Sequence, residues 1–348
     1  MVVEVAALGS CEATTICDLG AKPSHPLRSD AVRVSLLGCG AVGGGVKQLL
    51  EAQPEAFELG PVLVQRPRSS RPGEFTRDLE EALAGEPELL VELVGGTDLA
   101  ADAMHRALSR GAEVVTGNKA ALARHRDSLH ACAARHGGGL RFSAAVGGGA
   151  PILELLRRLR GEVAAVEGVM NGTCNFLLSR LADGWNFDRA LQTAQELGFA
   201  EADPSGDVDG HDASDKLSIL AREAFGVALP PNLIPKQSLR DLAPGAATEA
   251  WRRGEVLKQV GRCWLEPDGS AAASVRVVAL PAGDALAGVH NEENCFLVTD
   301  GGGKLHQVHG KGAGRWPTAT AVMADVLDAR RALLRKARTV GGSLKLSA

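Results

Sequence analysis

A six-residue apolar run, VRVSLL at 32–37, ends on the turn Gly38-Cys39-Gly40-Ala41-Val42-Gly43, and a helical pattern follows over 42–52 until Pro54 stops it. This succession constrains the fold more than any other stretch of the chain. The run has the length and character of a buried strand. Glycines at 38, 40 and 43 let backbone come close to a neighbour, and the helix N-terminus behind them favours an anion. Further apolar runs at 61–65, 89–94, 113–115 and 140–146 alternate with helical patterns at 79–83, 100–110 and up to 133. Strands and helices alternating at this spacing predict a parallel sheet with helices on both faces. The expected class is α/β, a Rossmann-type domain over 31–146 with Gly38, Gly40, Ala41, Val42 and Gly43 as its pyrophosphate loop. The plainer reading of the same glycines is a tight turn needed only for packing.

In dinucleotide sites an acid at the end of the second strand commonly meets the ribose 2′-hydroxyl. The chain offers Gln65, Arg66, Pro67 and Arg68 there. Arg66 and Arg68 suit a 2′-phosphate, which favours NADP over NAD, whereas as solvated loop charges they would contribute little. Thr116-Gly117-Asn118-Lys119 directly follows the run at 113–115, at the carboxyl end of a strand where open α/β sheets bind ligands. Lys119 can reach a reacting carbonyl from that point, although a surface lysine at a helix start is a common arrangement.

After Gly147-Gly148-Gly149-Ala150-Pro151 the pattern changes. Helices are expected over 152–226, interrupted at 166–169, and short apolar runs within 263–308 predict a mostly antiparallel sheet. A final helix is expected over 317–334. The second domain is thus α+β, spanning 147–310, with 311–340 completing the first. Its densest chemistry is GFAEADPSGDVDGHDASDK at 198–216, six carboxylates running into Lys216. Asp212 and Lys216, four apart, share one helix face. Leu217, Leu220, Ala221 and Ala224 make that helix amphipathic, with Lys216 at the edge of the buried stripe, where burial would lower its pKa. Carboxylates that hold a substrate ammonium beside a lysine suit an amino-acid enzyme, and a solvated acidic loop capping a helix is the alternative. Asn171-Gly172-Thr173-Cys174-Asn175 can present backbone N–H groups and the Thr173 hydroxyl to a carboxylate, or serve as an ordinary cap through Thr173 or Asn175. His306 and His309 lack a third ligand at metal spacing and read as loop residues.

Bulk properties exclude several classes. A formal charge of −4 leaves no basic footprint for nucleic acid, and aromatics at 3% with no tyrosine leave no stacking platform. Seven cysteines scattered without CxxC spacing favour reduced thiols in the cytoplasm. No apolar run is long enough to span a bilayer. Residues 1–30 carry Glu4, Glu12 and Asp18 and lack a basic leader, so they read as an extension before the first strand and not as a secretion signal.

Taken together, GCGAVG at 38–43, TGNKA at 116–120, AAVGGGAP at 144–151, NGTCNF at 171–176, the 198–216 segment and GAGRWPTATAV at 312–322 resemble the homoserine dehydrogenase family. The resemblance runs from about residue 32 to 331, and 198–216 is its most specific part. It implies NAD(P)-linked interconversion of aspartate β-semialdehyde and homoserine on the route to threonine and methionine, by a homodimer. It further implies Lys119 and Lys216 at the reacting oxygen, with Glu201, Asp207, Asp212 and Thr173 around the amino-acid substrate. Thr116 and Gly314 fall with the coenzyme. Two charged lysines facing one oxygen should repel, which predicts that at least one is held below its usual pKa of about 10.4. The family commonly has a glutamate where Ser143 stands, beside a monovalent-cation site. Carbonyls of Val146, Gly148 and Ala150 occupy the matching positions, but the anionic ligand is missing and no sodium or potassium is assigned. Neither a regulatory domain after the last helix nor a kinase domain before the first strand is expected. Two alternatives stand beside this reading: a dehydrogenase of another hydroxy or amino acid, and an inactive coenzyme-binding paralogue.

Overall fold

The computed structural model describes residues 31–66, 73–312 and 314–343. β1 (Val32–Leu37) leads into α1 (Ala41–Glu51), and the short strands β2 (Phe57–Leu59), β3 (Val62–Leu63) and β4 (Phe75–Thr76) precede α2 (Leu79–Leu83). β5 (Leu89–Glu92), α3 (Asp98–Ser109), β6 (Glu113–Thr116), α4 (Lys119–His136) and β7 (Gly139–Arg141) continue the alternation. The strands pair in parallel in the order β4-β3-β1-β5-β6-β7, with β2 also beside β1. Side-chain alternation explains the uninterrupted apolar runs. Leu89 and Val91 pack with Val46 and Leu50 of α1, while Leu90 packs on the other face with Met104, Leu108 and Leu129. Both faces are covered, as a parallel sheet requires.

The second half opens with α5 (Ser143–Val146) and α6 (Ile152–Arg158), then β8 (Val163–Val169), α7 (Gly172–Ala182), α8 (Phe187–Glu196), α9 (Ser205–Val208), α10 (His211–Phe225) and α11 (Ala246–Arg252). β9 (Glu255–Leu265), β10 (Ala271–Pro281), β11 (Glu293–Asp300) and β12 (Leu305–Lys311) join β8 in an antiparallel sheet ordered β10-β9-β8-β11-β12. α10 buries Leu217, Leu220, Ala221 and Ala224 in the same core as Val166, Val275 and Phe296. Each buried leucine contributes roughly 1.5–3 kcal/mol, so the helix that carries Lys216 is firmly seated. α12 (Arg315–Ser343) then returns to the parallel half, where Ala319, Val322, Met323, Val326 and Ala329 pack with Val32, Val34 and Leu36.

Several expectations need correcting. The run at 140–146 divides: β7 stops at Arg141, and Ser143–Val146 is helical. A carboxylate from far along the chain explains the change, because Asp325 of α12 accepts from the Ser143 backbone N–H at 2.7 Å and from its hydroxyl at 3.0 Å. The run at 61–65 yields only Val62–Leu63, with Phe57–Leu59 paired separately to β1. His306 and His309 lie on β12, where His306 Nε2 meets Asp300 Oδ2 at 2.8 Å, and are not loop residues.

Candidate active site

The glycine turn sits at the carboxyl end of β1. Gly38 has φ +94°, and a Cβ there would lie 2.3 Å from the Leu93 carbonyl oxygen; one on Gly43 would lie 2.0 Å from the Gly38 oxygen. These two positions are closed to any side chain. Gly40 differs, for a Cβ there would meet nothing within 4 Å. It is the N-cap of α1, without a side-chain cap and with no acid in the first turn. Gly40, Ala41 and Val42 therefore present unoccupied helix N–H groups on an open side, the arrangement that accepts a phosphate. Arg66, exposed three residues beyond β3, shares a cleft of about 480 Å³ with Arg77, Leu79, Val94 and Leu99. Arg68 lies outside the described residues.

Lys119 is the first residue of α4. Asn118 caps that helix by accepting from the Ala121 N–H at 3.0 Å, and its own N–H donates to Thr116 Oγ1 at 2.9 Å. The Thr116 hydroxyl in turn donates to Glu92 Oε2 at 2.6 Å. Thr116 is thus buried and committed to the fold through its side chain. Glu92 is fully buried at the end of β5; burial raises its pKa, against hydrogen bonds from Thr116, Val94 and Asn118. Sequence reading passed over Glu92, although an acid inside the apolar run LLVELV was a usable signal.

The opposite wall belongs to the second half. Asn171 caps α7 by accepting from the Cys174 N–H at 2.9 Å, the role expected of Thr173 or Asn175. Its Nδ2 donates to Asp207 Oδ1 at 2.6 Å and Asp212 Oδ2 at 3.0 Å. Thr173 donates to the Phe199 carbonyl at 2.6 Å and lies 3.0 Å from Asp207 Oδ2. Asn171 therefore ties α7 to both acids, which the spacing of the motif did not reveal.

The two distant lysines meet here. Lys119 Nζ lies 2.8 Å from Asp212 Oδ1, and Lys216 Nζ lies 2.8 Å from Asp212 Oδ2. Lys216 also donates to the Met170 carbonyl. Its side chain is only 10% exposed, against 38% for Lys119. An ammonium has three donors. These contacts leave two on Lys119 and one on Lys216 for a ligand. Burial would raise the Asp212 carboxyl, but the charges and hydrogen bonds of Lys216 and Lys119 outweigh it and hold it well below the carboxylate range. Asp212, with Asp207 and Asp215 behind it, pushes Lys119 upward in spite of burial. The expected depression through mutual repulsion does not apply to Lys119, because the carboxylate stands between the two charges.

Both lysines line a cavity of about 830 Å³ together with Thr173, Glu201, Asp207 and Asp212, and Gly314 borders it from the start of α12. Gly314 has φ +110°, a conformation that side chains rarely adopt. Glu201 is exposed at the rim. Asp215, Glu292 and Asn294 also line the cavity and were not singled out from the sequence. Around the glycine run, the Ala150 carbonyl accepts from the Ile152 N–H at 2.8 Å, and Ser143 is engaged with Asp325. No group of three or more His, Cys, Asp or Glu side chains able to hold a metal occurs among the described residues. The carbonyls of Val146, Gly148 and Ala150 receive no acidic partner at Ser143.

Known proteins share this arrangement of domains. The family model described as homoserine dehydrogenase matches residues 151–327, and that for the homoserine dehydrogenase NAD-binding domain matches 38–143. A homoserine dehydrogenase from Lactococcus lactis is 36% identical over 315 residues, covering 85% of this chain and 73% of that protein. One from Synechocystis is 37% identical over 322 residues, covering 85% and 73%. The chain belongs to the homoserine dehydrogenase family. The crystal structure of a homoserine dehydrogenase from Thiobacillus denitrificans superposes with a TM-score of 0.81 at 31% identity, over 86% of this chain and 73% of that one. A Staphylococcus aureus homoserine dehydrogenase gives 0.74 at 30%, over 86% and 76%. Homoserine dehydrogenases are oxidoreductases acting on a CH–OH group, and the parallel half of this chain is their NAD-binding domain.

Proposed function

We propose that the lysine pair is the catalytic centre for interconversion of L-aspartate 4-semialdehyde and L-homoserine. The observation that carries this reading is the meeting of Lys119 and Lys216, from different halves of the chain, on one carboxylate in the cavity of about 830 Å³. The two ammonium groups and the Asp212 carboxylate together carry one net positive charge, with Glu201, Asp207 and Asp215 lining the rest of the cavity. A carbonyl oxygen placed among the three free N–H donors gains negative charge during reduction, and preorganised donors stabilise that charge without rearranging. A bound nicotinamide coenzyme supplies or accepts the hydride. The open side of Gly40 and the uncapped start of α1 fit its pyrophosphate, and Gly314 borders the cavity that holds the lysines. Lys119, held protonated by Asp212, acts through charge; the proton reaches the oxygen from the lysine pair directly or through a water.

Glu201, Asp207 and Thr173 would hold the amino-acid end of the substrate. Thr116 would support the coenzyme through the loop it braces. Arg66, with Arg68 beside it in sequence, favours NADP over NAD through the 2′-phosphate. The working enzyme is proposed to be a cytoplasmic homodimer serving threonine and methionine synthesis. No helix among the described residues is long and apolar enough to cross a membrane.

An initial-rate assay with homoserine and each coenzyme in turn tests this reading. Turnover is expected with both, with the lower KM for NADP. Arg66→Ala should raise the NADP KM about tenfold, the loss of one phosphate contact, and leave that for NAD nearly unchanged. Tight coenzyme binding without turnover would return the chain to the inactive-paralogue reading.

A further inference from the structure

α4 and α10 start side by side at the cavity, and their contact does not end there. Seven residues beyond Lys119, about two turns, Arg126 forms an ion pair with Glu223, which lies eleven residues, about three turns, beyond Asp212. Seven and eleven both return to the starting face of a helix. The next residues cross with opposite sign, Arg222 Nη2 lying 3.1 Å from Asp127 Oδ2. Adjacent residues on each helix thus read plus-minus against plus-minus in complementary register. The inner pair is shielded, with Arg126 16% and Glu223 13% exposed, and the Arg126 guanidinium also stacks 5.8 Å over the Phe142 ring. His130, one turn further along α4, sets its ring edge-on to Phe142 at 6.0 Å. Exposed pairs contribute little, but a buried pair fixes geometry because separating it strands a charge.

We propose that Arg126 and Glu223 are positioning residues that hold α4 and α10 in register, and so set the spacing of the Lys119 and Lys216 ammonium groups. The proposal rests on the catalytic role given above to that lysine pair. Lys119 comes from the parallel half and Lys216 from the antiparallel half, so nothing along the chain fixes their separation. Asp212 joins the two at the cavity end, and the Arg126–Glu223 pair joins the same helices two to three turns away. Two points of attachment on each helix prevent one from swinging about the other. With the far point removed, Lys119 would be held less firmly on Asp212, the largest source of its raised pKa, while Asp207 and Asp215 stay near it.

The test uses Glu223→Gln, Arg126→Gln and the exchanged pair Arg126→Glu with Glu223→Arg, in the full chain. Each single variant should lower kcat severalfold, up to the roughly tenfold loss expected when the Lys119 ammonium is removed altogether. Coenzyme affinity from nucleotide fluorescence should change less than about twofold, since no coenzyme contact is touched. The alkaline limb of the kcat profile should move to lower pH in each single variant, and the exchanged pair should recover both kcat and the limb. Single variants that keep kcat and the limb overturn the proposal, whatever happens to their melting temperature. A fall in kcat matched by loss of folded protein in circular dichroism, with the limb unmoved, overturns it as well. Failure of the lysine reading looks different, since Lys119→Ala and Lys216→Ala would then turn over normally.

Discussion

Lys119 and Lys216 touch opposite oxygens of the same carboxylate, yet their surroundings differ. Lys216 sits inside an amphipathic helix whose apolar stripe is packed on a sheet, and it spends a second donor on the Met170 carbonyl. Lys119 stands at a helix start, more exposed, with the cap of Asn118 and the Thr116–Glu92 hydrogen bond directly behind it. Lys216 lies within the packed length of its helix, whereas Lys119, on a helix that is also packed through Leu122 and Leu129, has a polar relay as its nearest support. Packing tolerates changes of pH and salt, whereas a relay of buried polar groups depends on every member being satisfied. The antiparallel half thus supplies the rigid anchor of the site and the parallel half its adjustable partner.

That contrast can be broken experimentally. Lys216→Ala should lose about a hundredfold or more in turnover, the usual scale for a preorganised electrostatic contact, with a smaller effect on coenzyme binding. Lys119→Ala should lose less, by about an order of magnitude, because its place at the cavity mouth admits water as a substitute donor. Equal losses, measured as kcat for homoserine oxidation, would erase the distinction between anchor and partner.

Asp212→Asn comes next. It removes the group that raises Lys119 and leaves two ammonium groups facing each other, so the alkaline limb of the kcat profile should shift to lower pH. Removing one member of a buried ion cluster also costs about 3–5 kcal/mol of stability. Because the Asp212 carboxyl is held low, this stability is present above about pH 4 and is lost as pH falls through its folded value. Wild-type protein should therefore lose stability on acidification over that range, and the variant should lose less. A pH series of urea melts reads the difference.

The joint between the halves gives a smaller effect of opposite sign. Burial pushes Asp325 up to about 6, against the hydrogen bonds from Ser143. The folded state then holds a proton that the unfolded chain releases near pH 4. Stability from this group falls as pH rises from about 4 to 6, by about 3 kcal/mol in all. Asp325→Asn should flatten that part of the melting curve while leaving kcat per folded enzyme within about twofold. An unchanged slope would mean that another group titrates there.

The sequence made parts of this legible for physical reasons. GCGAVG announced its turn because Gly38 and Gly43 admit no side chain, a local requirement written into residue type. Lys216 and its stripe were readable from helical periodicity, and Lys119 from its place after a strand. Glu92, Asn171 and Asp325 were missed because their roles are set by partners 24, 36 and 182 residues away. Ser143 illustrates the point. The chain there reads as the end of a strand until a distant carboxylate takes its N–H and starts a helix. The raised pKa of Lys119 was hidden in the same way: repulsion between two lysines could be foreseen, but the acid interposed between them could not.

A crystal structure with homoserine and oxidised coenzyme bound tests the central claim most directly. Both ammonium nitrogens, from Lys119 and Lys216, should lie within about 3.2 Å of the homoserine hydroxyl oxygen. A hydroxyl seated elsewhere in the cavity, with the two lysines still closed on Asp212 and out of its reach, would contradict the account.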